Sequence, residues 1–327
     1  RIKLGMLGML NNIVGTRCIF PLYHVVNDYY MPHVDQVYRI TSREEFITDI
    51  DFLLKHFNPV TMQELLQNPD AMHKRHQVHF TFDDGLREMY DVVVPVLLSK
   101  GIPATFFINA AFVDNQDLFF RYKQSYLLNE FKNKIITDGA IQQLKNLLGL
   151  NRISFTILKH KLLGTKNNNI QLIDDIADIL EVDFQVFLNR RQPYLTSKQI
   201  KSMINNGFTI GAHSMDHPYY PQLSVEEQIT QTEHSVHYVQ NSFDLPYRLF
   251  AFPFTDHGVD KKFFDYFYGE NQRLDFSFGT AGIKDDTYPK NIQRIPVEDF
   301  RNAQNAVKRE LAEYLIKRMF NIHKIKR

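Results

Sequence analysis

Seven short runs rich in apolar, β-branched and aromatic residues recur along this 327-residue chain, separated by helix-like stretches, and that alternation constrains the fold more than any other feature. The runs are 18–24, 78–83, 104–109, 207–213, 248–254, 276–280 and 291–297, all of strand length. Helix starts between them are well marked. Ser42 with Glu45 and Ser224 with Glu227 have the spacing at which each side chain satisfies the other residue's free backbone N–H. Strands alternating with helices predict an α/β protein with parallel strands joined by crossover helices, open or closed into a barrel.

One stretch breaks the rhythm. Residues 113–193 are helix-rich and polar, with amphipathic patterns around 122–136, 140–148 and 170–180. This reads as a helical insertion that elaborates the scaffold, since sites sit preferentially on loops over the strands; a lid or partner surface is the alternative. Residues 1–17 read as an N-terminal helical segment and 18–300 as the main unit carrying the insertion. Residues 301–327 read as a C-terminal helix with a basic end: Lys317, Arg318, Lys324, Lys326 and Arg327 follow with no acid after Glu313, the pattern of a solvated tail, with a membrane or anionic-glycan contact as the alternative.

Composition excludes several partners. Lys+Arg is 38 against Asp+Glu 37, so no global field draws in nucleic acid or an anionic membrane. The apolar share of 44% and charged share of 23% place the chain in the globular class. Cys18 is the single cysteine and cannot form an internal disulfide. The apolar stretch 4–10 is too short to span a bilayer, and no small-x-small cleavage site follows it. The expectation is no transmembrane segment and no convincing signal peptide, with cytoplasmic and envelope-associated locations both open.

Two strand-end motifs carry chemistry. Thr81-Phe82-Asp83-Asp84-Gly85 places two adjacent carboxylates beyond a strand, where neighbouring side chains diverge. One can ligate a metal while the other reaches a reacting water; the alternative is a helix N-cap. His213-Ser214-Met215-Asp216-His217 follows another strand and places two histidines where they can face one cation. Pro218 disfavours helix at His217, so the pair belongs to a loop. One Asp with two His leaves metal positions open, as in catalytic zinc sites. The same donor set also suits a non-haem iron oxygenase, against which the second Asp argues.

Together the two motifs resemble the polysaccharide deacetylase family, the NodB-homology or carbohydrate esterase 4 enzymes, in pieces from about 18 to 297. The resemblance implies a distorted (β/α)7 barrel, a divalent metal, usually zinc with cobalt or another ion possible, and hydrolysis of an acetamide on an N-acetylated sugar. It implies Asp83 as catalytic base and Asp84, His213 and His217 as metal ligands. The family's Arg-x-Pro-Tyr motif is matched by Ala251-Phe252-Pro253-Phe254. The proline is kept and the arginine is absent. The Phe254 backbone N–H can still hold an oxyanion, because a backbone donor does not depend on side-chain identity. Arg294, on the last strand, is the candidate to orient Asp83 instead.

The family's Leu-x-His motif is absent after Phe254 but occurs early, as Leu22-Tyr23-His24. That placement resembles the permuted branch, which includes poly-N-acetylglucosamine deacetylases, and implies His24 as general acid. A closed barrel tolerates the permutation, since its first and last strands are neighbours. The implied activity is metal-dependent deacetylation of an N-acetylated glycan. An O-acetyl carbohydrate esterase and an inactive metal-containing carbohydrate-binding domain are its alternatives.

Overall fold

The computed structural model describes residues 18–69, 76–165, 169–270 and 272–327; the expected N-terminal helical segment 1–17 lies outside the described residues. Seven of the strand-like runs supply one sheet. Its strands are β1 (Pro21–Tyr23), β2 (Phe80–Phe82), β3 (Ala104–Ile108), β4 (Thr209–Ala212), β5 (Leu249–Ala251), β6 (Phe276–Gly279), β7 (Asn291–Gln293) and β8 (Ile295–Pro296). They pair in parallel in the order β7-β6-β5-β4-β3-β2-β1-β8. Because β7 and β8 are separated only by Arg294, one stretch of chain borders both β6 and β1, and the sheet curls into a barrel. The seventh run thus appears as two strands, interrupted at the residue that points into the mouth.

Alternation along each strand sorts the side chains. Phe80, Phe82, Ala104, Phe106 and Ile108 pack outward into the helix-covered core, while Phe107, Leu249, Ala251, Phe276 and Phe278 fill the interior with Phe20. Gly211 is required there: a Cβ would meet the Phe107 ring at 2.5 Å. Helix α1 (Arg43–His56) starts at the Ser42–Glu45 capping box and α3 (Val225–Phe243) at the Ser224–Glu227 box, so both local patterns operate as helix starts.

The described residues between 120 and 191 form five α-helices, beginning with α2 (Phe120–Asn133). They enclose a second apolar core built on Leu127, Leu128, Leu144, Leu158, Leu162, Ile173 and Ile176. This core continues through Phe119 and Tyr122 to Val25 and Leu86, beside the barrel mouth.

The chain closes with α4 (Ala303–Met319). The basic end beyond it is not a solvated tail. Lys324–Ile325 pairs in parallel with Asp285–Asp286, and the Arg327 side chain is buried in ion pairs with Asp256 and Asp286. Two buried carboxylates need a cation more than the guanidinium needs water, which local charge counting misses.

Candidate metal and catalytic site

The carboxyl ends of the strands form the mouth, and every site residue anticipated from sequence lies there. His24 follows β1, Asp83 and Asp84 follow β2, His213 follows β4 and Phe254 follows β5. Backbone bonds hold these strand ends in register: the Asp83 N–H donates to the Tyr23 carbonyl at 3.1 Å, and the His213 N–H to the Ile108 carbonyl at 2.8 Å. Tight local geometry then aims the side chains. Asp84, Ser214, His217 and Phe254 all have positive φ, at 70°, 68°, 61° and 57°. Such conformations cost about 1–3 kcal/mol each and persist where the surrounding structure over-determines them. Gly85, at φ 66°, takes the following left-handed position without that cost.

The two adjacent carboxylates have separate partners. Asp83 is held in a bidentate pair, Arg294 Nη1 to Oδ1 and Nη2 to Oδ2, both 2.7 Å. Arg294 is itself fully buried, donates its Nε–H to the Gly279 carbonyl at 3.1 Å and lies over the Phe107 ring. Burial pushes the Asp83 carboxyl up, but the Arg294 guanidinium outweighs it and holds it below the usual carboxylate range.

Asp84 faces the two histidines instead. Its Oδ1 lies 3.2 Å from His217 Nε2 and 3.5 Å from His213 Nε2. His213 donates its Nδ1–H to the Ala251 carbonyl at 2.8 Å, which leaves Nε2 as a lone pair. Asp84 Oδ1 has no hydrogen-bond partner among the described residues. Three donor atoms of Asp84, His213 and His217 therefore converge within 4.8 Å, all buried. Buried lone pairs facing one another are relieved by a shared cation, and a carboxylate with two imidazoles is a donor set that suits a divalent transition metal. The residues fit such an ion.

Across the mouth, His24 Nδ1 bonds Glu298 Oε2 at 2.8 Å, and Glu298 Oε1 accepts from the His24 and Val25 backbone N–H groups at 2.8 and 3.0 Å. Burial pushes His24 down, but Glu298, with Asp84 and Asp83 beyond it, raises its pKa to about 9. Tyr38 stacks on the imidazole at a 4.1 Å centroid distance, which fixes the ring plane.

Two contributors were missed by the sequence reading. Glu298 follows the last strand, and its one local signal is an acid beyond a strand end; its partner is 274 residues away. Tyr122 comes from α2, in the insertion read as scaffold elaboration. Its hydroxyl donates to Asp84 Oδ2 at 2.7 Å, and neighbouring Phe119 packs on His217 with centroids 4.3 Å apart. The insertion therefore reaches the site, because the apolar face that covers its own core also faces the mouth.

Comparison with known proteins follows the same line. The model of the polysaccharide deacetylase family matches residues 70–141 and 163–264, more than half the chain. No curated protein matches it. Among solved structures, the Streptococcus pyogenes deacetylase PplD in complex with acetate superposes with TM-score 0.55 at 14% identity, over 90% of this chain and 97% of that one. IcaB from Ammonifex degensii gives 0.54 at 18%, over 89% and 97%. BC0361, a polysaccharide deacetylase from Bacillus cereus, gives 0.53 at 14%, over 90% and 69%. At these identities the superpositions establish a shared fold.

Proposed function

Because the chain belongs to the polysaccharide deacetylase family, hydrolases of an amide or ester bond, we propose that it removes acetyl groups from the nitrogen of an N-acetylated glycan with the help of a divalent metal, zinc being the first candidate. The observation that carries this reading is the division of labour between neighbouring carboxylates: Asp84 joins His213 and His217, while Asp83 is kept apart by Arg294.

Asp84, His213 and His217 would hold the ion, which supplies Lewis-acid polarisation of the acetyl carbonyl and makes water more acidic. Asp83, ionised against Arg294, takes the proton of the attacking water on a carboxylate oxygen. A new C–O bond forms at the acetyl carbon. The Phe254 N–H, which has no acceptor among the described residues, donates to the developing oxyanion. His24 enters protonated, with its Nδ1–H on Glu298, and gives its other ring proton to the amine as the C–N bond breaks. The products are acetate and a free amino sugar. Asp83 then releases the water proton to solvent, as the acid product does its own in becoming acetate, and His24 is reprotonated from solvent.

The test is acetate release from N-acetylated chito-oligosaccharides and from O-acetylated xylan, with metal analysis of the same sample. Release from the first, with about one metal per chain, is expected from the one three-donor cluster among the described residues. Release from the xylan alone would make the protein an O-acetyl esterase. Metal content that is unchanged in Asp84→Ala, His213→Ala and His217→Ala would overturn the proposed ligand set.

A further inference from the structure

Helix α4 buries one stripe, Ala303, Ala306, Val307, Leu311 and Tyr314. At about 100° per residue, Ile316, Met319 and the capping residue Phe320 fall on the side opposite Tyr314, with the i, i+3, i+4 spacing of one contiguous patch. They are 56%, 81% and 69% exposed, and Ile322 just beyond is 63% exposed. Large side chains this exposed, four together, are unusual on a solvent face.

The patch is flanked by positive charge. Lys308 lies on the same outward side of α4 earlier in the helix, and the exposed Lys324 and Lys326 follow the apolar residues, while Arg309 and Lys317 are paired with Glu313 at 3.0 and 2.8 Å. The chain beyond the patch is anchored. Lys324–Ile325 is paired to Asp285–Asp286, and the Arg327 guanidinium donates to the Asp256 carbonyl at 2.6 Å. The apolar groups are therefore presented by ordered backbone on both sides.

We propose that this face docks the protein on an anionic bilayer. Ile316, Met319, Phe320 and Ile322 enter the boundary between headgroups and acyl chains, and the Lys308, Lys324 and Lys326 side chains meet lipid phosphates. Apolar area and basic charge are the two terms that bind interfacial segments to membranes, and each basic group near an anionic surface adds to the attraction. A second copy of the chain is the poorer occupant, since a symmetric contact would set these cations against one another. No helix among the described residues is long and apolar enough to cross a membrane, and the contact proposed is one of surface side chains.

The experiment is co-sedimentation of the full chain with vesicles of phosphatidylcholine alone and with about 30% phosphatidylserine, at low and at high salt. The expected result is binding to the anionic vesicles only, weakened by salt. The Met319→Ser/Phe320→Ser variant should bind at least roughly tenfold more weakly, as loss of this much buried apolar area implies, with an unchanged melting temperature. Lys324→Glu/Lys326→Glu should weaken binding while leaving the apolar patch intact. Failure of the parent to bind anionic vesicles overturns the proposal, as does equal binding by the serine variant. A parent dimer converted to monomer by Phe320→Ser, without vesicle binding, would assign the face to self-association instead.

Discussion

His24 at the mouth of the barrel and His79 at its floor are driven to opposite charge states. At the floor, His79 is fully buried, bonded to the Val60 carbonyl and the Thr105 hydroxyl at 2.8 Å each. Burial there lowers its pKa to about 4, despite the Val60 bond. At the mouth, His24 is also pushed down by burial, yet Glu298 lifts it to about 9. Burial is common to both, so the carboxylate partner decides the sign. At His79 a neutral acceptor leaves burial in charge, and at His24 the ionised Glu298 outweighs burial; Asp84 does not outweigh it at His217, whose pKa stays lowered.

The largest expected effect tests the mouth's other charge pair. Asp83→Asn should lower acetate release by roughly 10²- to 10⁴-fold, the range of general base catalysis, while metal content stays at the parental level. Near-parental release would place the base elsewhere. The carboxylate would then serve the fold, as His79 does.

Next is the contact from the insertion. Tyr122→Phe removes the bond to Asp84 Oδ2 and should weaken metal affinity by roughly 10- to 100-fold, the usual cost of losing a group that orients a ligand. Competition with a chelating indicator reads this directly. Unchanged affinity would make the barrel loops sufficient for the site.

Glu298→Gln should make His24 more like His79. The active His24 is protonated, so activity falls as pH rises through its pKa. Removing the partner lowers that pKa and moves the basic limb of the rate profile to lower pH, by one unit or more if the partner contributes about 1.4 kcal/mol or more. A basic limb that does not move would remove His24 from the profile. Stability should follow the same sign. The stabilising His24–Glu298 pair is fully present below the ordinary histidine pKa of about 6.5 and is lost as pH rises through about 9.

The smallest effect belongs to the floor. His79→Leu leaves the Val60 carbonyl and Thr105 hydroxyl without their ring partner and should cost about 1–3 kcal/mol, seen in denaturant unfolding, with the rate profile unmoved. The linkage sign is opposite to that of His24: a depressed imidazole contributes stability above about pH 6.5 that is lost as pH falls toward about 4. The variant should therefore be less sensitive to acid over that interval. A shifted rate profile would show that the floor communicates with the mouth.

Local spacing alone was enough for the strand-end motifs. Asp83-Asp84-Gly85 and His213 with His217 are read within five residues of a strand end. Ser42–Glu45 and Ser224–Glu227 announce their helices in four residues, because a cap is a contact between near neighbours. The pairing of Arg294 with Asp83 spans 211 residues, and that of Glu298 with His24 spans 274. Both exist because the last stretch of chain closes the sheet against β1. Tyr122 joins Asp84 only when the insertion's own core settles beside the mouth, and Arg327 leaves solvent only when Asp256 and Asp286 converge. The residue types with reactive chemistry and their strand-end positions were set by the sequence itself. Which charge each group faces, and hence which proton it holds, was decided by tertiary structure, because the energy of a buried ion depends on neighbours that local patterning does not specify.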